Sequence, residues 1–335
     1  MSDLAPPVAL AETGADASVR EQLWQWALPI ALVVLFLAFA LADSRVLSAA
    51  NLLNIAQQTS YIALFAMAQA VVIITRGFDL SLGPAVSMVS VGAAVAMTAA
   101  VGGGSDPVTV LLIGLVAGIG LGAATGLFNG VVIALLGVSP FVATLGSYNI
   151  AIGIATTLSA GKPVQGMPDL FSTLLYRGEV FGVPAAIVIA VVAGLILHFT
   201  LTRTVFGRSL YIVGTNPRAA AVAGIPVKRV LVSAYVLCSS LAALGALMLT
   251  ARTGSGEPNL GGSLSLQAIA AAVVGGTSLA GGRGGVGTAV LGALFITVLS
   301  NGMNLTRIDG YVQMVVLGAI VIVGVVLDRA RLKTR

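Results

Sequence analysis

Polar side chains within long apolar stretches are the residues of this sequence best suited to contact a solute. Such groups are costly in lipid unless they face the protein interior or a water-filled path. All but one are neutral hydrogen-bonding groups, which suits a polar uncharged solute, such as a sugar, better than an ion or a proton relay. Hydrogen bonding between helices is the alternative, and it is the commoner use of any single such residue. The candidates for a translocation path are Gln57, Gln69, Asp79, Asn129, Thr144, Tyr148, Asn149, Gln267, Asn301 and Asn304.

Asp79 is the one acid of this set, and it lies in a short polar break before an apolar stretch. A carboxylate is favourable near the N-terminal end of a helix, so we expect Asp79 to cap the helix that follows. Proton coupling is the alternative, but the chain lacks the series of buried acids or histidines that ion coupling uses.

We recognise no motif for catalysis, cofactor binding or metal binding in the sequence. Gly282–Gly287 (GRGGVG) matches a dinucleotide-binding pattern, but it joins two apolar stretches instead of a strand and a helix of a soluble unit. No G-x-x-x-x-G-K-[ST] occurs, and His198 is the single histidine. No serine, histidine and acid occur together as a plausible triad. We predict that the chain is not an enzyme, with no catalytic residue, no bound cofactor and no metal site.

The composition indicates a membrane protein. Hydrophobic residues make up 58% of the 335 residues and charged residues 9%, whereas soluble proteins have about 25% charged residues. Apolar runs of about 20 residues, the length that crosses a bilayer, recur along the chain and predict an all-α, polytopic helical bundle. The stretch 265–280 is short for a span and could be a partial or interrupted helix. We expect about ten spans, at residues 27–41, 53–75, 82–101, 108–136, 140–160, 181–201, 230–251, 265–280, 286–304 and 311–327.

The loop charges predict the orientation, because cytoplasmic loops carry an excess of Lys and Arg. With the N-terminus inside, 12 of the 17 Lys and Arg residues lie on the cytoplasmic side. We therefore predict that both termini are cytoplasmic. The expected domains are a disordered tail at 1–23, a membrane domain at 24–328 and a basic tail at 329–335. Since the cations sit in loops between spans, the net charge of +5 indicates no nucleic-acid partner.

Thr202–Val230 is the longest polar interruption of the chain, with five Lys and Arg residues and no Asp or Glu. It contains the signals of a short helix: Asn216 can act as N-cap, Pro217 suits the first helical position and Gly224 can end the helix. A helix of about seven residues is not stable alone in water, so we expect this one to dock on a partner. The alternative is a connector whose charges only set the topology.

Two stretches of the chain share a weak repeat. Ile74–Gly92 and Leu249–Gly275 each contain the end of a span, a Gly-rich polar break with a Leu-Ser-Leu sequence, and a span of small residues. In the predicted orientation the first break lies inside and the second outside. This is the arrangement of an inverted repeat, which in transporters places the path between the two halves.

The fourth expected span carries a glycine at every fourth position. Such a ridge lets another backbone approach closely, and we favour this packing role over contact with a solute. The glycines are Gly114, Gly118, Gly122, Gly126 and Gly130.

Five further stretches carry a resemblance to a known family. They are Gly77–Gly83 (GFDLSLG), Ser139–Gly146 (SPFVATLG), Arg203–Gly224 (RTVFGRSLYIVGTNPRAAAVAG), Ala268–Gly282 (AIAAAVVGGTSLAGG) and Asn301–Leu305 (NGMNL). In this order and spacing they resemble the ribose/xylose/arabinose/galactose-type permeases of bacterial ATP-binding-cassette importers. The resemblance covers roughly residues 50–328, and it is specific for the family and not for the sugar.

The resemblance implies a permease subunit in the bacterial inner membrane that transports a monosaccharide or similar polyol. It implies a second permease copy or paralogue, a cytoplasmic ATPase subunit that binds the ATP, and a periplasmic binding protein that delivers the solute. The loop at 202–229 would then dock its short helix in a cleft of the ATPase. The residues implied in this coupling are Arg203, Gly207, Arg208, Asn216, Pro217, Arg218 and Gly224.

The sequence departs from the family pattern near the expected path. Pro84 stands where Ser is common, and Ser265 and Gln267 stand where acids are common. These departures leave the solute open more than the architecture. A permease for branched-chain amino acids or nucleosides is the alternative within the same class. A stand-alone secondary transporter or channel is the alternative from another class, and the organised cytoplasmic helix argues against it.

Overall fold

The protein is a bundle of long apolar helices. The computed structural model describes residues 14–333, with side chains described for residues 26–329. A short antiparallel hairpin pairs β1 (Glu179–Val180) with β2 (Val183–Pro184). The helices are α1 (Gly14–Ala42), α2 (Ala49–Ile74), α3 (Leu82–Gly102), α4 (Pro107–Ala134), α5 (Pro140–Ser159), α6 (Asp169–Ser172), α7 (Ala185–Arg203), α8 (Val205–Thr215), α9 (Pro217–Val222), α10 (Val227–Thr253), α11 (Leu264–Gly275), α12 (Val286–Leu305) and α13 (Gly310–Lys333).

Eight of the described helices are long and apolar enough to cross a membrane, namely α2, α3, α4, α5, α7, α10, α12 and α13. Two shorter apolar helices accompany them, the Trp26–Ala42 part of α1 and the helix α11. The chain is therefore a polytopic helical membrane protein.

Helix starts follow local sequence signals. Asp106 accepts hydrogen bonds from the amides of Val108 and Thr109 before the proline that begins α4, and Ser139 accepts from Val142 before the proline that begins α5. Proline fits the first helical position because its missing N–H would have no partner there.

The termini and the central loop contain more helix than the sequence indicates. α1 begins at Gly14, within the segment expected to be a disordered tail, and residues 1–13 lie outside the described residues. α13 continues to Lys333, so most of the expected basic tail is helical. The central loop holds a helix that we did not predict, α8, before the expected short helix α9.

Helices α2 and α10 run antiparallel through the centre of the bundle. Near one end the Arg252 guanidinium donates to the hydroxyl of Tyr61 at 2.6 Å, and near the other the Tyr235 hydroxyl donates to the carbonyl oxygen of Phe78 at 3.3 Å. The packing around them is paired: α2 packs on α12 and α10 on α4, while α3 lies against α4 and α5, and α11 against α12 and α13.

The glycine ridge of α4 lies against α10, as the sequence predicts. A Cβ on Gly130 would lie 2.8 Å from the Cα atom of Val232, and one on Gly126 would lie 2.7 Å from the Cα atom of Val236. Contacts this short leave no room for a side chain, so the backbones of the two helices touch.

The connector between α1 and α2 is held by one ion pair. The Arg45 guanidinium donates to the carboxylate of Asp43 at 2.6 Å and to the carbonyl oxygen of Leu305 at 3.1 Å. The hydrogen bond from Arg45 lowers the pKa of the half-buried Asp43 carboxyl to about 2.

Candidate functional site

Two interruptions of the helical bundle meet in its interior. We call residues 75–81, between α2 and α3, the first break, and residues 254–263, between α10 and α11, the second break. The hydroxyl of Ser265, the second residue of α11, donates to the carbonyl oxygen of Leu80 at 2.8 Å and accepts from the amide of Gly83 at 2.7 Å. The two Leu-Ser-Leu sequences of the repeat are therefore in direct contact.

Ser265 also caps α3 from another part of the chain. The N-cap residue of α3, Ser81, makes no capping bond with its own side chain. The first amides of a helix have no partner within it, and Ser265 satisfies one of them, the amide of Gly83.

The second break runs along α3 towards this contact. The amide of Glu257 donates to the hydroxyl of Ser90 at 3.1 Å, and the amide of Gly261 donates to the hydroxyl of Ser87 at 2.8 Å. A Cβ on Gly261 would lie 3.1 Å from the Cα atom of Gly83 and closer still to its carbonyl carbon and oxygen. Non-helical backbone is tolerated at membrane depth when it is buried in protein, and α3 supplies that cover.

α11 covers only part of a membrane crossing, as the short stretch at 265–280 predicts. Its 12 residues rise about 18 Å, whereas a bilayer core is about 30 Å thick.

Three of the predicted path residues form a buried polar cluster beside the first break. The Asp79 carboxylate accepts from the amide of Ser81 at 2.8 Å and from its hydroxyl at 2.5 Å. The amide group of Asn129 donates to the Ser81 hydroxyl at 3.0 Å. With its amide oriented to match its partners, Gln69 accepts from the backbone N of Asp79 at 3.0 Å and donates to its O at 3.3 Å.

This cluster is closed to solvent. Asp79 is 1% exposed, and Gln69 and Asn129 are 0% exposed. The three side chains hold the first break against α2 and α4. Asp79 accepts from Ser81, the residue before α3, and not from an amide of α3 itself, so the predicted capping of α3 is made by Ser265 instead. None of the three lines the cavity described next.

A cavity of about 370 Å³ opens beside the contact of the two breaks. This size lies within the range of about 300–1,000 Å³ seen for ligand pockets. Tyr148 is the one predicted path residue that lines it. The full lining is Leu80, Leu145, Tyr148, Gly262, Ser263, Ser265, Leu266, Ile269, Met314 and Leu317.

Two predicted path residues lie near the cavity without lining it. Gln267 donates to the Ser263 hydroxyl at 2.8 Å, within the start of α11. Thr144 is 0% exposed and donates to the carbonyl oxygen of Pro140 in its own helix.

The other four predicted path residues do not line the cavity. Asn301 of α12 forms a reciprocal pair with Asn51 of α2, with N···O distances of 3.0 and 2.9 Å. Asn304 accepts from Gln313, and Asn149 donates to the carbonyl oxygen of Leu145 in its own helix. Gln57 is half-buried on α2.

At the Arg76 end of the bundle, α9 has the caps that the sequence predicts. Asn216 accepts from the amides of Arg218 and Ala219, each at 3.1 Å. Gly224 has a φ of +79°, the left-handed conformation in which glycine commonly follows the last helical residue. Only Ala220 of α9 is buried, whereas Val222 is 91% exposed.

The remaining residues of the predicted coupling set divide by exposure. Arg203, Arg208 and Arg218 are exposed, and Pro217 is half-buried. Gly207 is buried, and a Cβ there would overlap the carbonyl oxygens of Thr200 and Leu201. The exposed side of α8 and α9 is thus cationic, and Gly207 serves the packing of α8 against α7.

Sequence reasoning missed three residues of this site. Ser265 was noted as a departure from a family pattern, although its place in the second Leu-Ser-Leu sequence was a usable signal. Tyr235 lies in an apolar run, and its contact with the first break has no local signature. Arg76 was counted as a loop charge, yet its guanidinium donates to the carbonyl oxygen of Gly214 at 2.6 Å.

The chain is similar to known proteins over most of its length. Residues 51–325 match the family described as branched-chain amino acid transport system / permease component. The ribose import permease of Bacillus subtilis (strain 168) is 36% identical over 303 residues, which are 90% of this chain and 92% of that protein.

Two other relatives have similar coverage. The D-allose transport system permease of Escherichia coli (strain K12) is 33% identical over 290 residues, 87% of this chain and 86% of that protein. The galactose/methyl galactoside import permease of Haemophilus influenzae is 33% identical over 319 residues, 91% of this chain and 94% of that protein. The similarity therefore extends over nearly the whole helical bundle.

Proposed function

The chain belongs to the branched-chain amino acid transport system / permease component family, and on that basis we propose that it is the membrane-spanning permease subunit of an ATP-binding-cassette importer for a monosaccharide or similar polyol. The similarity to permeases for ribose, D-allose and galactose over nearly the full length of both chains carries this proposal. ATP would be bound by a partner subunit, and this chain would contribute no catalytic residue or cofactor.

The proposed topology has ten membrane crossings, with the chain termini and α8–α9 in the cytoplasm of a bacterium and the bundle in its inner membrane. The distribution of Lys and Arg supports this orientation. An inverted repeat, in which α2–α5 correspond to α10–α13, is supported by the paired packing of these helices and by the contact of the two Leu-Ser-Leu sequences.

The proposed solute path passes the cavity beside the two breaks. Tyr148, Ser263 and Ser265 contribute hydroxyl groups to an otherwise apolar lining. A lining with so few hydrogen-bonding groups suits a polar solute that binds weakly and is then released. In this proposal the other candidates, Gln57, Gln69, Asp79, Asn129, Thr144, Asn149, Gln267, Asn301 and Asn304, hold the surrounding helices or border the path.

Coupling to ATP is assigned to the cytoplasmic segment 202–229. α9 would dock on a cytoplasmic ATPase subunit, and closure of the ATPase would move the halves of the permease against each other. The exposed side chains of Val222 and Arg218 support this role, because an apolar and a cationic group lie on one short capped helix. The coupling set would be Arg203, Gly207, Arg208, Asn216, Pro217, Arg218 and Gly224.

The other proposed partners are a second permease, either a copy or a paralogue, and a periplasmic binding protein that delivers the solute. Affinity purification of the tagged chain from its native membrane in mild detergent, followed by mass spectrometry, tests the whole assembly. Recovery of an ATPase and a binding protein is the expected result. A chain that is recovered alone, even after crosslinking, contradicts the proposal.

The solute itself is tested in two steps. The copurified binding protein is first screened by thermal shift against pentoses, hexoses and amino acids. The solute that gives the largest thermal stabilisation is then used in uptake assays with the reconstituted complex. Stabilisation by branched-chain amino acids instead of sugars would favour the alternative that the family description names, a permease for branched-chain amino acids.

A further inference from the structure

We propose that Arg76 is a positioning residue that ties α8 and α9 to the first break, and so transmits the movement of α9 to the contact between the two breaks. This inference rests on the proposed function, because it assigns a means of coupling within the permease. It goes beyond that function in naming a residue outside the docking segment.

The guanidinium of Arg76 joins the first break to the end of α8. Its Nε donates to the carbonyl oxygen of Gly214 at 2.6 Å, and its Nη2 donates to that of Thr215. The last carbonyl groups of a helix have no partner within it, so Arg76 supplies the partners that α8 lacks. Asn216, the N-cap of α9, is the next residue, and therefore this contact also fixes the point at which α9 begins.

Close backbone packing surrounds the contact between Arg76 and the end of α8. A Cβ on Gly214 would overlap the carbonyl oxygen of Ile74 and would lie 2.7 Å from the amide of Gly282. That amide donates to the Ile74 carbonyl oxygen at 2.8 Å. The Tyr211 hydroxyl donates to the carbonyl oxygen of Gly284 at 3.0 Å. The end of α8 is thus held between the end of α2 and the connector from α11 to α12.

Arg76 itself is held in an unusual conformation. Its φ is +65°, which a residue with a side chain keeps only where the surrounding structure fixes it. This conformation points the chain from the end of α2 into the first break. A shift of α8 would therefore act on the residues that follow at once, Gly77 and Phe78.

From there the contacts continue to the cavity without a gap. Phe78 accepts from Tyr235, Asp79 bonds Ser81, and Leu80 accepts from Ser265. Leu80 and Ser265 both line the cavity of about 370 Å³. The route from α9 to the cavity consists of hydrogen bonds and buried backbone. Close-packed contacts of this kind are poorly compressible, so a movement of α9 is transmitted to the residues around the cavity.

The first experiment uses the purified chain alone in lipid nanodiscs. Hydrogen–deuterium exchange is compared for the wild type, Arg76→Ala, Arg76→Lys and the control Arg329→Ala. Arg329 is an exposed cation at the end of α13 that makes no side-chain hydrogen bond among the described residues. We expect Arg76→Ala to speed exchange in residues 211–225, although these lie more than a hundred positions away in sequence. Unchanged exchange there would overturn the proposal.

The second experiment uses the complex reconstituted with its ATPase and binding protein, and it reports solute taken up per ATP hydrolysed. We expect Arg76→Ala to lower this ratio about five-fold or more, within the usual range of coupling between sites. Arg76→Lys should restore part of the ratio because an ammonium can still donate to a carbonyl oxygen. Gly214→Ala should lower it independently, by displacing the end of α8.

The outcomes separate the two proposals. If the wild-type complex takes up no solute with ATP, the proposed function fails. If the wild type is coupled but Arg76→Ala changes only the exchange of residues 211–225 and leaves the ratio unchanged, Arg76 is merely structural and the inference is wrong. If Arg76→Ala does not fold, a stable and monodisperse Arg76→Lys chain still allows the same two measurements.

Discussion

The hydroxyl of Ser265 lies 2.8 Å from the carbonyl oxygen of Leu80, although the two residues are 185 positions apart in the chain. Each belongs to one of the Leu-Ser-Leu sequences of the repeat. The same hydroxyl accepts from the amide of Gly83. One side chain therefore joins the two halves of the protein at the point where α3 and α11 begin.

Removal of this hydroxyl should weaken the protein measurably. In Ser265→Ala the buried amide of Gly83 loses its acceptor, which costs about 1–3 kcal/mol of unfolding free energy. Ser263→Ala is the matched control, because its hydroxyl accepts only from Gln267 within the start of α11. Thermal unfolding in detergent should show a lower midpoint for Ser265→Ala than for Ser263→Ala. Equal midpoints would contradict a bridging role for Ser265.

Two neighbouring glycines of the second break should differ in their tolerance of alanine. In Gly261→Ala the new methyl group would overlap the backbone of Gly83, whereas in Gly262→Ala the nearest atom is 3.8 Å away. Overpacking of this kind typically costs about 1–3 kcal/mol. We expect Gly261→Ala to lower the unfolding midpoint and Gly262→Ala to leave it nearly unchanged. A tolerated Gly261→Ala would mean that the two breaks are not in backbone contact.

The glycine ridge of α4 offers a second comparison of this type. A Cβ at Gly126 would lie 2.7 Å from the Cα atom of Val236 in α10, and one at Gly120, on the same helix, would have no atom within 4 Å. Gly126→Ala should therefore separate α4 from α10 and destabilise the protein by about 1–3 kcal/mol. Gly120→Ala should be neutral or slightly stabilising, since alanine favours the helix by about 1 kcal/mol. Unfolding in detergent compares the two variants directly.

The amide pair between α2 and α12 should behave as a unit. Asn51 and Asn301 are 9% and 4% exposed and donate to each other. Replacing one of them with leucine leaves a buried amide without its partner, which costs about 1–3 kcal/mol. The double variant Asn51→Leu/Asn301→Leu should recover much of this loss, and a double-mutant cycle of unfolding free energies measures the coupling. Additive effects would show that the two amides do not depend on each other.

A glycine at the end of α9 allows the effect of backbone strain to be distinguished from the effect of losing contact with the ATPase. Gly224 and Gly137 have φ values of +79° and +72°, and a Cβ on either would have no atom within 4 Å. Valine at either position should cost a similar stability, about 1–2 kcal/mol for a left-handed residue with a side chain. Only Gly224→Val should lower uptake per ATP in the reconstituted complex, because it alters the end of the docking helix.

Replacing Arg218 together with Pro217 should have the same effect on uptake while the protein still inserts in the membrane. The docking role of α9 would be wrong if Gly137→Val lowered uptake as much as Gly224→Val does. It would also be wrong if neither Gly224→Val nor the joint replacement of Pro217 and Arg218 changed uptake.

The sequence was informative where structure is set locally. Asn216 and Gly224 specify the ends of α9 through their own backbone chemistry, and glycines at every fourth position of α4 specify close packing. The short stretch at 265–280 predicted a partial helix because its length is inadequate for a crossing. The helix α8 was missed since Arg208 and its glycines at 207 and 214 are typical of loops, whereas tertiary contacts with α7 and α2 stabilise it.

The candidate site was less predictable, because polarity in a span does not reveal which way a side chain faces. Gln69, Asp79 and Asn129 were correctly selected as unusual, and the structure brings them together, but as a closed cluster and not as a cavity lining. Tyr148 lines the cavity and Asn149, the next residue, does not. Partners such as Ser265 and Gly83 are separated by 182 positions, and no local pattern pairs them.

The partial length of α11 has a consequence for the order in which the chain is assembled in the membrane. Two amides of the non-helical residues 254–263, those of Glu257 and Gly261, find acceptors in Ser90 and Ser87, on a helix that is synthesised more than 160 residues earlier. Without that helix the unpaired amides would face lipid, which offers them no acceptor. We therefore expect the second half of the protein to insert against a first half that is already in the membrane.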